Sequence, residues 1–95
     1  MARRTKNKKS AQRIHFRRRS LQRYGISLGS EEQKEIAGII RNGKALFVSR
    51  ISARLSVFMV YYRDTELKVV YDSFRHSLAT ALPLEGSDFI GDDND

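Results

Sequence analysis

Four apolar stretches crowd the second half of this chain, and the shortness of what joins them leaves few ways to fold them. Residues 45–51 (ALFVSRI), 54–62 (RLSVFMVYY), 66–72 (ELKVVYD) and 77–82 (SLATAL) carry the β-branched and aromatic side chains of strands. Only Ser52-Ala53, Arg63-Asp64-Thr65 and Ser73-Phe74-Arg75-His76 separate them. A parallel crossover needs about a dozen residues, so each consecutive pair must be antiparallel. Pro83 ends the last strand, because it has no N–H for a ladder. A four-stranded antiparallel meander is expected.

Upstream, the periodicity is helical. Ser30 is a candidate N-cap, Glu31 and Glu32 suit the positive end of a helix, and Gln33 completes a Ser-x-x-Gln capping box. Ile36, Ile39 and Ile40 form a stripe at i, i+3, i+4, and Gly43 suits the C′ position. Gly25 and Gly29 bracket the link to an earlier helix that begins near Ala11. At about 100° per residue, Ile14, Leu21 and Tyr24 share one face of that helix, and His15, Arg19 and Arg23 share the opposite one. The expected fold class is α+β: two N-terminal helices followed by the four-stranded antiparallel β-meander, helices on one sheet face. The other face is expected to be open, lined or rimmed by Arg50, Arg54, Ser56, Lys68 and Thr80.

Charge divides the chain into three parts. The first thirty residues hold ten Lys or Arg and no acid, whereas residues 85–95 hold five acids and no base. Residues 1–10 are expected to be a flexible basic tail, 11–84 the folded domain, and 85–95 a flexible acidic tail that aids solubility. A net charge of +7 on 95 residues, with arginines continuing into the first helix, points to a polyanionic partner. No Cys is present, which excludes disulfides and thiolate metal sites and fits a reducing compartment. No stretch approaches the ~18 apolar residues of a membrane helix, so a cytoplasmic protein without a membrane partner is expected. His15 and His76 form no H-x-x-x-H pair, and no phosphate-binding glycine loop or nucleophile elbow occurs. No metal and no cofactor are expected.

Metal-free RNA cleavage needs few groups. The ribose 2′-hydroxyl is the nucleophile, an imidazole moves the proton, and guanidinium groups hold the phosphate. His15, Arg19, Arg41, Lys44, Arg54 and Thr80 supply those residue types, and Arg13, Arg17, Arg18 and Arg23 extend the basic surface. Each also has an ordinary reading: an exposed helix histidine, a strand threonine chosen for β-propensity, a solvated arginine. His76, between two strands, reads as a turn residue.

The order of short motifs narrows the choice. His15, Arg19, Arg23, Tyr24 and Gly25 lie on the first helix, and Arg41-Asn42-Gly43 closes the second. Ser52, Arg54, Ser56 and Val57 form a Ser-x-Arg-x-Ser-Val element, and VVYD at 69–72 and ATALP at 79–83 mark the last two strands. Over residues 11–84 this order resembles the small phage and prophage nucleases of the barnase–EndoU–colicin–RelE-like class. Ala79 and Ala81 stand where that pattern carries bulky branched residues. The resemblance implies a metal-independent endoribonuclease of the RelE-like toxin fold, with His15, Arg54 and Thr80 as the active site on the open sheet face. It further implies Arg19 and Lys44 as phosphate contacts. Nucleic acid, RNA over DNA, is the expected partner, bound through Arg13, Arg17, Arg18, Arg19, Arg23, Arg41 and Lys44, with the ribosome or a neutralising protein as further partners. The alternative is a non-catalytic phage or bacterial accessory protein whose basic arm binds RNA, DNA or a host nucleoprotein. A third class is a factor whose charged tails dock on a host protein.

Overall fold

In the computed structural model, which describes residues 8–84, helices α1 (Lys8–Tyr24) and α2 (Ser30–Arg41) precede strands β1 (Leu46–Arg50), β2 (Leu55–Tyr62), β3 (Thr65–Asp72) and β4 (Ser77–Leu82). The strands form one antiparallel sheet in the order β1-β2-β3-β4, the expected meander. The β2–β3 hairpin closes tightly: Tyr62 pairs with Thr65, and Arg63 and Asp64 both have positive φ (52° and 63°). That is the backbone of a two-residue turn whose twist matches the strands, so Thr65 enters β3 rather than the connection. Helix α1 starts at Lys8, inside the segment expected to be a basic tail. The rest of that tail, residues 1–7, and the acidic tail 85–95 lie outside the described residues.

Helix α2 is capped one residue earlier than expected. Gly29 is the N-cap, and its N–H donates to Glu32 Oε1 at 3.0 Å, so Ser30 is the first helical residue. Gln33 takes no part in a capping box. Its buried amide donates to the carbonyls of Arg13 (3.0 Å) and Leu28 (2.9 Å), tying α2 to α1 and to the link between them. The C-terminal end follows expectation. Gly43 has φ 75°, its N–H donates to Ile40 O, and the Lys44 N–H donates to Ile39 O, both at 3.0 Å. These two bonds make a Schellman motif, which only a residue tolerant of left-handed backbone permits without strain.

The main core lies between the helices and one face of the sheet. Ile36, Ala37 and Ile40 of α2 meet Phe16, Leu28 and the inward strand residues Val60, Leu67, Val69 and Leu78. The face of α1 differs from the one expected. Ile14 and Leu21 are 59% and 53% exposed, whereas Phe16 and Ser20 are fully buried and Tyr24 packs against the core. A single large aromatic next to a small residue lets the helix approach β4 closely, and the Ser20 hydroxyl is satisfied by the Ile26 carbonyl at 2.8 Å. The stripe expected to face away, His15, Arg19 and Arg23, is consequently half-buried.

The opposite sheet face is not open. Val57, Val70 and Leu82 are at most 2% exposed and form a second apolar cluster with Val48, Leu55 and Ala79. Irregularities in the β1 and β4 ladders, at Val48 and Ala79, each add a side chain to this cluster. Bulges of this kind raise the local twist. Lys68 and Thr80 do lie on this face, paired with Leu82 and Val70. Arg50 and Ser56 do not: they pair with each other, and Ser56 pairs with Tyr71 of the main core.

Tyr24 fastens the end of α1 to the sheet. Its hydroxyl donates to the Leu82 carbonyl and accepts from the Lys68 N–H at 2.9 Å, bridging the end of the β3–β4 ladder. Tyr24→Phe keeps the ring but removes the bridge from two backbone groups, which should cost about 1–3 kcal/mol. A chemical-denaturation midpoint equal to wild type would show that the bridge adds nothing.

Candidate active site

Two side chains three residues apart on a regular strand point to opposite faces. Ser77 and Thr80 escape this rule because Ala79 is an extra residue in β4. Val70 pairs with Thr80 and Tyr71 with Leu78, skipping Ala79, so Ser77 and Thr80 share a face. On α1, Gln12 and His15 share a face for the ordinary helical reason, a spacing of three. The two pairs meet. His15 Nε2 lies 3.1 Å from Thr80 Oγ1, and the Ser77 hydroxyl donates to Gln12 Oε1 at 2.7 Å. Bulges recur beside active sites because they re-aim a side chain in this way. Thr80 is buried and His15 half-buried, so the pair is shielded but not sealed.

Arginines continue the stripe. Arg19 follows His15 by one helical turn, half-buried, with Nη1 on Gln22 Oε1 at 2.5 Å. Arg23, a further turn on, donates from Nε to the Ala81 carbonyl at 3.0 Å. The imidazole and two guanidinium groups thus run along the edge strand, beside the hydroxyl of Thr80.

Arg54 is placed elsewhere. It precedes β2 and clasps the fully buried carboxylate of Asp72, Nη2 to Oδ2 at 2.7 Å, with its guanidinium 5.4 Å from the centre of the Phe74 ring. Among the described residues its side chain bonds to neither His15 nor Thr80. Asp72 is a hub. It also accepts from Gln12 Nε2 (3.0 Å), Arg75 Nη1 (3.3 Å) and the backbone N–H groups of Phe74 (3.0 Å) and Arg75 (3.1 Å). Burial alone would raise its pKa, but the Arg54, Gln12 and backbone donors outweigh burial and hold it below the usual carboxylate range. Gln12 joins the two groups, since one end of its amide holds Asp72 and the other Ser77. Arg54 is thus linked through Asp72 and Gln12 to the helix that carries His15.

The remaining expected contacts scatter. Arg17 Nε donates to Ser27 Oγ at 2.9 Å, and Arg18 is exposed on the outer side of α1. Arg13 and Arg41 line a cleft between the helices and the β3–β4 turn, together with His76. Lys44 is exposed just beyond α2, and no side-chain bond among the described residues ties it to the His15–Thr80 pair. Sequence reasoning missed Gln12, Ser77 and Asp72. The Asp closing VVYD, opposite Ser77 in the ladder, was the one available signal.

Among the described residues no group of three or more His, Asp or Glu is placed to hold a metal ion. No described helix is long and apolar enough to cross a membrane. Comparison with known family models, with characterised proteins and with solved structures returns no match for this chain.

Proposed function

We propose that this protein binds RNA and cleaves it as a metal-independent endoribonuclease with the plan of RelE-like nucleases, acting in the cytoplasm. The observation that carries the reading is the His15–Thr80 contact, made by residues 65 positions apart and brought about by a bulge in β4. The motif order shared with the barnase–EndoU–colicin–RelE-like class supports it, as does the arginine stripe beside the pair. In the proposed step the His15 imidazole takes the proton of the ribose 2′-hydroxyl, and O2′ attacks phosphorus. The P–O5′ bond breaks, the departing oxygen collects a proton from solvent, and a 2′,3′-cyclic phosphate remains. Thr80 orients the imidazole, and Arg19 offers positive charge to the crowded phosphate.

The decisive comparison is between matched RNA and DNA strands incubated with the pure protein in excess chelator. RNA should be cut and DNA should bind yet survive, because DNA lacks the nucleophile. Loss of both strands, or of neither, would contradict the reading.

A second reading keeps binding without cleavage, with nucleic acid, the ribosome or a neutralising protein as partner. It is favoured by the outer face of α1, where exposed Arg17 and Arg18 stand beside exposed Ile14 and Leu21, away from the half-buried stripe. Under either reading nucleic-acid affinity should fall steeply with salt. Arg17→Gln with Arg18→Gln should flatten the slope of log affinity against log salt by about 0.7 per lost phosphate contact on single strands. An unchanged slope would remove these two residues from the interface.

A further inference from the structure

The cleft between α1, α2 and the β3–β4 turn lies outside the His15–Thr80 pair. Its volume is about 380 Å³, within the ~300–1,000 Å³ of small-molecule sites. Three cationic side chains and an imidazole, from three separate elements, line it: Arg13 of α1, Lys34 and Arg41 of α2, and His76 of the turn, and among the described residues no carboxylate does. His76 is held at φ 54°, in the left-handed region, at the tight corner between β3 and β4. Like charges drawn to one concavity repel one another, so an anion occupying it would relieve them. A second, independent feature lies in the same wall. Gln33, which also borders the adjoining hollow beside Ile14 and Ser30, is 4% exposed, its amide nitrogen is spent on the Arg13 and Leu28 carbonyls, and among the described residues its Oε1 has no hydrogen-bond donor. An unmet buried acceptor costs about 1–3 kcal/mol, which a donor reaching it after a small side-chain shift would recover. Basic donors beside an unmet acceptor suit a molecule that combines phosphate with hydroxyl or amino donors.

We infer that this cleft binds one nucleotide unit, its phosphate held by Arg13, Lys34, Arg41 and His76 and a sugar or base donor directed at Gln33. Ser77 belongs both to the cleft wall and, through its bond to Gln12, to the network beside His15. The cleft therefore serves as a subsite for a nucleotide flanking the one that is cut. That last role rests on the proposed RNA cleavage; the binding of a nucleotide does not.

The test is titration of the full-length, isotopically labelled protein with adenosine 5′-monophosphate, adenosine and inorganic phosphate, followed by amide chemical shifts. The monophosphate should shift the amides of Arg13, Lys34, Arg41, His76 and Ser77 and bind more tightly than either fragment. Lys34→Ala with Arg41→Ala, both exposed positions, should weaken it about tenfold or more while leaving the melting temperature near wild type. His76→Ala should weaken it as well, without unfolding the domain. Equal binding of inorganic phosphate and the monophosphate would overturn the nucleotide assignment, and so would shifts confined to other surfaces. RNA cleavage that persists without monophosphate binding would sink the subsite alone. Monophosphate binding in a protein that never cuts RNA would sink the proposed reaction and leave the cleft standing.

Discussion

Asp72→Ala should destabilise the domain by about 3 kcal/mol or more, a large part of the stability of so small a fold. The substitution deletes a fully buried carboxylate that accepts from Arg54, Arg75, Gln12 and two backbone N–H groups. Arg54 and Arg75 are partly exposed and can turn to solvent, but the Phe74 and Arg75 backbone groups lose their partner. The same carboxylate sets an acid limb. Its pKa is depressed in the folded protein, so its contribution is complete above the unfolded value of about 3.9 and is lost as pH falls below it. Wild-type melting temperature should therefore drop steeply below about pH 4, and the variant's acid limb should be shallower. Superimposable melting curves at neutral pH would show that Asp72 does not organise this end of the sheet.

His15→Ala should lower the rate of RNA cleavage by ~10²–10⁴, the usual contribution of a positioned acid or base, and change RNA affinity little. The imidazole is half-buried and touches the Thr80 hydroxyl, while the fully buried core anchor on that helix is the neighbouring Phe16. Stability should accordingly stay near wild type, which separates a chemical loss from an unfolding one. Thr80→Val tests the partner, because it keeps shape and removes the hydroxyl. It should slow cleavage less than His15→Ala does. Equal rates for wild type and His15→Ala would make the imidazole a bystander and end the assignment.

The meander was legible because its signals are local: β-rich runs, connections too short to cross over, and a Pro at the end. The C-terminus of α2 was legible for the same reason, since Gly43 meets a backbone requirement that few residues can. Helix α1 was misread because an apolar stripe announces burial only when a helix lies over a sheet. Here the helix lies against an edge strand, where Phe16 and Tyr24 fill the gap and polar side chains reach β4 groups such as the Ala81 carbonyl. The N-cap moved for a subtler reason. A glutamate three residues on can satisfy the N–H of a glycine as well as that of a serine, and Ser30 and Gly29 are neighbours. His15 and Thr80 were named together from motif order, but what joins them is the Ala79 bulge, and nothing in SLATAL distinguishes a bulged alanine from a paired one. The Arg54–Asp72 pair was not legible because Asp72 lies on the neighbouring strand, 18 residues on, and such pairing is written in register rather than in spacing.

The most direct test is to identify the ends produced when pure wild-type protein acts on RNA in excess chelator. Attack by the ribose predicts a 2′,3′-cyclic phosphate on one fragment and a 5′-hydroxyl on the other, with cleavage at a site abolished by 2′-O-methylation of its ribose. Fragments ending in 3′-hydroxyl and 5′-phosphate, or RNA left intact whether free or ribosome-bound, would contradict the claim that His15 and Thr80 form a metal-independent ribonuclease site.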